Sequence, residues 1–189
     1  LEAGANVLTA NTFGANPLKI ASDGYSPEEA REACRRYIEA DVRLMKEAVA
    51  EYEASGSAFS HRPHYVSWDT GQIGRLLEPM GDLTFDEAYE SYKFAAMAAE
   101  AAGAELAIIE TMSDLYEMKA AILAVQENTG MAVVATATFQ PNLRTLTGAD
   151  VLTVVTYLES LHVDVLGFNC GGSLAEDEEL CRLFTRYSH

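Results

Sequence analysis

Basic residues are scarce in this chain. Its 189 residues include 29 Asp and Glu but only 13 Lys and Arg, a formal net charge of -16. Binding to a nucleic-acid backbone needs clustered Lys and Arg that neutralise phosphates, so nucleic acid is set aside as a partner, and anionic membrane surfaces with it. Cysteine is sparse too. Three cysteines, an odd number without framework spacing, argue against a disulfide-stapled secreted domain and for a reducing compartment, the cytoplasm. Long apolar runs are missing, and no basic segment followed by a short apolar one opens the chain, so neither a membrane span nor a leader peptide is expected. What is present is a chain with 49% hydrophobic residues, enough for one sizeable core and one domain over residues 1–189.

Both ends of the sequence fall inside a pattern. Leu1 to Asn6 read as the tail of a helix running straight into a strand, with no opening methionine, and Cys181 to His189 finish a helix where a strand is due next. The expectation is a segment cut at both ends.

Between them, strand and helix signals alternate five times. Asn6 to Phe13 is a short strand candidate followed by a Gly-Ala-Asn-Pro loop. Ser26 precedes Pro27 at the first helical position, with Glu28 and Glu29 in the first turn, so a long amphipathic helix is expected to about Ala54. A polar linker leads to a second strand, His64 to Asp69, and then to a Gly-rich loop containing Pro79. Thr84 with Glu87 forms a capping box for a helix from Phe85 to Ala102, which Gly103 stops. A third strand at Glu105 to Thr111 leads to a helix capped by Ser113 and ended by Gly130. The fourth strand spans Met131 to Phe139, a helix runs from about Gly148 to Leu161, the fifth strand is Asp164 to Cys170, and the last helix opens on acidic residues that suit its positive end. Runs such as Leu106 to Ile109 are apolar without alternation, the mark of a parallel sheet covered on both faces.

Two α/β architectures fit: an open doubly wound sheet or a (β/α)8 barrel. No dinucleotide-type glycine fingerprint follows the first strand, which weakens the former. Each strand ends on polar side chains: Asn11 and Thr12, Asp69, Glu110 and Thr111, Thr136 and Thr138, Asn169 and Cys170. In a barrel these ends converge on the face where active sites are built. A full barrel needs eight strands, and this chain supplies about five βα units.

The stretches GANVLTANTFGAN, LLEPMGDLTFDEAYE, IIETMSDLYEMKAAILAVQE, RTLTG and DVLGFNCGG, in this order and spacing, resemble the homocysteine S-methyltransferase domain family. The likeness is nearest to the homocysteine-binding module of cobalamin-dependent methionine synthases and covers nearly the whole chain. It implies a (β/α)8 TIM barrel that transfers a methyl group to the thiol of homocysteine, giving methionine, with the methyl donor on a corrinoid module or another small donor. It also implies Zn2+ held by three cysteines, a number that leaves the fourth tetrahedral position open for the substrate sulfur.

Cys170, in Gly-Phe-Asn-Cys, matches one of those ligands; the adjacent cysteine pair of the family does not occur here, nor does its opening Asp-Gly motif. One thiolate cannot hold zinc alone. By the same resemblance Glu110 binds the substrate ammonium, and Asn169 and Asn11 orient the amino acid. A lone carboxylate at a strand end is costly unless a cation meets it, and the substrate would supply one. Gln72 stands where relatives carry a proline, in a loop that approaches the substrate carboxylate.

The remaining candidates read more plainly. Free cysteine is commonly a core residue, and Cys34 and Cys181 lie in helices and match nothing. His61, His64, His162 and His189 show no ligand spacing and read as solvated or capping residues. The segment alone is expected to be inactive. The alternative is a non-catalytic partial-barrel remnant that assembles with a partner chain or with a second copy through its open strand edges.

Overall fold

The computed structural model describes all residues 1–189. Five parallel strands form one sheet in sequence order, β1 (Val7–Thr9), β2 (Tyr65–Thr70), β3 (Leu106–Met112), β4 (Ala132–Ala137) and β5 (Val165–Phe168). The helices are α1 (Pro17–Ala21), α2 (Pro27–Ala54), α3 (Phe85–Ala102), α4 (Leu115–Asn128), α5 (Val151–Ser160) and α6 (Leu174–Tyr187). Neighbouring strands joined in chain order by helical crossovers are the repeating unit of a (β/α) barrel, here open at β1 and β5. None of the helices is long and apolar enough to cross a membrane.

The helix layer follows its local signals closely. Ser26 and Thr84 accept from the backbone N–H of Glu29 and Glu87, and those glutamates reach back, closing both capping boxes. Gly103 ends α3 in the left-handed conformation at φ 104°. Along α3, Ala88, Ala95, Ala96 and Ala99 and the ring of Tyr92 are fully buried, a small-residue face that lets the helix lie close to its neighbours.

The sheet has two unlike faces. Its register pairs Trp68 with Ala107 and Ile109 with Ala135, and these side chains lie buried under the helices. The opposite, concave face carries Val7 paired with Tyr65, and Val165 paired with Val134; Val7, Tyr65 and Val165 are 41%, 42% and 53% exposed. The concave face is thus exposed at its edge positions while Ser67 and Asp69 within it stay buried.

Several local expectations need correction. The stretch after β1 is not all loop: Pro17 starts the short α1, and the Asn16 side chain accepts from the N–H groups of Leu18 and Lys19. β1 is three residues long rather than eight. Ser113 does not cap α4; Asp114 does, accepting from Tyr116 N at 2.9 Å. His64 is not solvated. It is buried, with Nδ1 3.1 Å from Glu53 Oε1 and its ring edge-on to Tyr52.

Candidate active site

Period-two alternation decides what reaches the mouth of the sheet. Asp69 pairs with Ile108, and Thr136 pairs with Gly167. Two residues beyond Ile108 stands Glu110, and two beyond Gly167 stands Asn169. Asp69, Glu110, Thr136 and Asn169 thus follow one another around the C-terminal rim of the concave face.

A continued strand would send the next side chains, Thr111 and Cys170, towards the helices. Both residues instead adopt a left-handed backbone, φ 59° and 56°. For a β-branched threonine this is a strained conformation that persists only where the surroundings impose it. Here β3 shifts register between Ile109 and Met112, a bulge that takes Thr111 N–H out of the ladder and gives it to Asn169 Oδ1 at 2.9 Å. Gly171, at φ 101°, continues the turn after Cys170; a Cβ there would lie 2.5 Å from the Phe139 carbonyl oxygen, so only glycine fits.

Asn169 is the hub of the rim. Its Oδ1 accepts from Thr136 Oγ1 at 2.8 Å as well as from Thr111 N–H. Its Nδ2 donates to Glu110 Oε2 and to Thr111 Oγ1 at 2.7 Å, and lies 3.5 Å from Cys170 Sγ. Thr111 Oγ1 is 3.8 Å from the same sulfur. Carboxylate and thiol therefore touch one amide nitrogen, on the same side of the sheet. Cys170 is exposed, whereas Cys34 is buried with Sγ 3.2 Å from Ala15 O and its thiol pushed up to about 12 by burial.

Asn11 is not drawn into this cluster. It is exposed beyond β1, and its backbone N–H rather than its side chain is engaged, by Asp41 of α2.

The second acid of the rim is Asp69. It is only 6% exposed, and its Oδ1 is buried without a hydrogen-bond partner. Its backbone is held by Thr12, whose Oγ1 donates to Asp69 O at 2.8 Å and accepts from Asp69 N–H at 3.0 Å. Burial, then the charge of Glu110 and a hydrogen bond to it, push the Asp69 carboxyl up to about 7. The sequence marked Asp69 as a polar strand end but not as a site residue; the signal that singles it out is its place two residues beyond Ser67 on the face that carries Glu110.

The loop after β2 is fastened from below and from the side. Gly71 lies against the Phe13 ring, where a Cβ would come within 2.3 Å. Tyr92 OH lies 3.0 Å from Gly71 O and donates to the nearer Glu117 Oε1 at 2.8 Å, and that same carboxylate oxygen accepts from Ile73 N–H at 2.7 Å. Burial raises the Glu117 carboxyl above its ordinary range, opposed by those two hydrogen bonds. Gln72 reaches across to the bulge, donating to Thr111 O at 2.6 Å and accepting from Ser113 Oγ at 2.8 Å. Gln72 thus braces the strained residue at the site, and Ser113 serves that brace instead of a helix cap. Glu117 lies within the quoted SDLYE stretch, but nothing in its spacing marked it as buried.

No three His, Cys, Asp or Glu side chains are grouped so as to hold a metal ion. The residues of this segment alone do not fit zinc, since Cys170 is the one cysteine on the rim.

An open (β/α) barrel with a thiol, an amide and two acids on its C-terminal rim has the layout of a barrel enzyme. The sequence profile of the homocysteine S-methyltransferase family matches residues 1–188, and the chain belongs to that family. It is similar to the methionine synthase of Mycobacterium tuberculosis, 29% identical over 99% of this chain and 15% of that protein, and to that of Mycobacterium leprae, 26% identical over the same shares. The chain therefore spans about a seventh of the length of these relatives. Among solved structures, the fold resembles the homocysteine methyltransferase MmuM of Escherichia coli. The metallated form gives a TM-score of 0.76 at 20% identity over 92% of this chain and 60% of that one. The oxidised form gives 0.74 at 20% identity over 89% and 58%.

Proposed function

We propose that this chain is the homocysteine-holding part of a methyltransferase that converts homocysteine to methionine. The observation that carries the reading is the shared contact of Glu110 and Cys170 with Asn169 Nδ2. Homocysteine is a short molecule with an ammonium at one end and a thiol at the other, and the rim offers an anion for the first and a sulfur ligand position beside the second.

Glu110 receives the ammonium. Asn169 fixes the Glu110 carboxylate by donating to it, and is itself oriented by Thr111 N–H and Thr136 Oγ1. A partly buried, hydrogen-bonded carboxylate aimed at a cation gives a strong charge-assisted contact without reorganisation when the substrate arrives. Asn11, exposed at the end of β1 two strands from β3, is a candidate contact for the amino-acid end of the substrate. In the transfer, the substrate sulfur forms a bond to the methyl carbon as the donor's bond to that carbon breaks, and the thiol gives up its proton. This segment's part is to fix the sulfur's carrier in one orientation.

Cys170 is assigned as one zinc ligand in the complete polypeptide, its companions lying outside these 189 residues. Bound zinc would stabilise the substrate thiolate at neutral pH. The methyl donor is a corrinoid on another module or another small methyl donor. In the complete polypeptide, Cys170→Ser should lower zinc from about one per chain to well below that and abolish methionine formation. Unchanged zinc content in that variant would reject the ligand assignment, and a wild-type polypeptide that binds no zinc and forms no methionine would favour the non-catalytic assembly role.

A further inference from the structure

The hydrogen bonds of Gln72 reach Thr111 O, Ser113 Oγ and, through its own carbonyl oxygen, Lys19 Nζ; none goes to Glu110, Asn169 or Cys170. Its influence on the rim therefore passes through Thr111.

The backbone angles of a residue are fixed once the peptide planes on either side of it are fixed. The plane before Thr111 is held by its N–H, which donates to Asn169 Oδ1 at 2.9 Å; the plane after it is held by its carbonyl, which accepts from Gln72 Nε2 at 2.6 Å. Loss of either hold lets Thr111 leave φ 59°, a conformation that its β-branched side chain disfavours. Gln72 is a stiff support because both of its chain neighbours are pinned. Gly71 lies against the Phe13 ring with its carbonyl oxygen 3.0 Å from Tyr92 OH, and Ile73 N–H donates to the buried Glu117 side chain at 2.7 Å. The Gln72 amide is also fixed in direction: only its NH2 group can face a carbonyl oxygen, which leaves Oε1 to accept from Ser113 Oγ at 2.8 Å.

Thr111 in turn sets the direction of the Asn169 amide. Two of the groups around that amide, Thr136 Oγ1 and Thr111 Oγ1, are hydroxyls that can donate or accept. Thr111 N–H can only donate, so it holds Oδ1 on its own side and turns Nδ2 towards Glu110. With Thr111 relaxed to an extended backbone, the amide loses that direction and Glu110 loses its fixed donor.

We propose that Gln72 is a positioning residue for amino-acid binding: by holding Thr111 in the left-handed conformation it orients the Asn169 amide, and through it the Glu110 carboxylate. This rests on the homocysteine reading above and adds to it the loop after β2, which acts on the site through the bonds from Gln72 to Thr111 and from Thr111 to Asn169.

The test uses the complete polypeptide, with homocysteine titrated by calorimetry and amide hydrogen exchange followed without ligand. Gln72→Met keeps the length of the side chain and removes both of its hydrogen bonds. It should weaken homocysteine about fivefold, the effect of one lost hydrogen bond, and speed exchange at the Thr111 amide while the amides of Leu106 to Ile109 keep their wild-type rates. Glycine takes positive φ without strain. In a Thr111→Gly background, where the brace has no strain to hold, Gln72→Met should therefore change the affinity by no more than about twofold. A residue that merely supports the fold would act equally in both backgrounds. If Q72M does not fold, Gln72→Ala is read the same way. Unchanged Thr111 exchange, unchanged homocysteine affinity, or an equal loss in the two backgrounds overturns the role of Gln72 and leaves the homocysteine reading standing. A wild-type polypeptide that does not bind homocysteine overturns both.

Discussion

The helix layer and the strand-end rim are built by opposite rules. In the layer, local preference and final structure agree: both long helices start on closed capping boxes, α3 stops on a left-handed glycine, and the alanine face of α3 is buried. On the rim, local preference is overridden three times. Thr111 and Cys170 take left-handed backbones, the β3 ladder is broken by a bulge, and Asp69 is buried without a donor for Oδ1. The layer holds the fold together, and the rim spends part of that stability on holding side chains where a ligand needs them.

That contrast can be broken by substitution. The largest effect on stability should come from the layer side: Trp68→Ala removes a fully buried ring between sheet and helices and should cost about 3–5 kcal/mol in urea denaturation. A rim substitution of equal cost would erase the distinction.

A smaller and oppositely signed effect is expected at Asp69. Burial, and after it the charge of Glu110, pushes its carboxyl up to about 7 in the folded chain from 3.8 when unperturbed. Between these values the folded state binds more protons than the unfolded one, so stability falls as pH rises through about 7. Asp69→Asn removes this loss. The variant should melt at a higher temperature than wild type at pH 8 and close to it at pH 4, where Asp69 is protonated in the folded state. Lower melting at pH 8 would show that Asp69 stabilises the fold and would remove the contrast.

The smallest effect is again in the layer. Thr84→Ala opens the α3 capping box and should cost about 1 kcal/mol, with homocysteine binding untouched, as thermal denaturation and calorimetry would read out.

The two regions also differ in how far the sequence exposes them. The boundaries of α2 and α3, their caps and the parallel order of strands follow from signals within one turn or one strand. The rim is half legible. Polar strand ends and their convergence are visible from alternation alone, and the family likeness nominates Glu110, Asn169 and Cys170, which the fold brings together, and Asn11, which lies apart. The left-handed turns at Thr111 and Cys170 are not visible, because they arise from contacts between β3 and β5, 58 residues apart at the Thr111 to Asn169 hydrogen bond. The same holds for Gln72, whose use as a brace depends on β3 lying beside the loop after β2, and for Ser113, drawn from its expected cap by that brace. His64 reads as a solvated or capping residue at the start of a strand and is buried because Glu53 and Tyr52 at the end of α2 fold back over it.

The central claim is that the rim around Asn169 is a site for an amino acid bearing a thiol. Titrating homocysteine into the complete polypeptide and into its Glu110→Gln variant tests it most directly. Saturable binding by the wild type, weakened about tenfold or more in the variant without loss of folded structure, is the predicted result; equal affinity in the two proteins would contradict it.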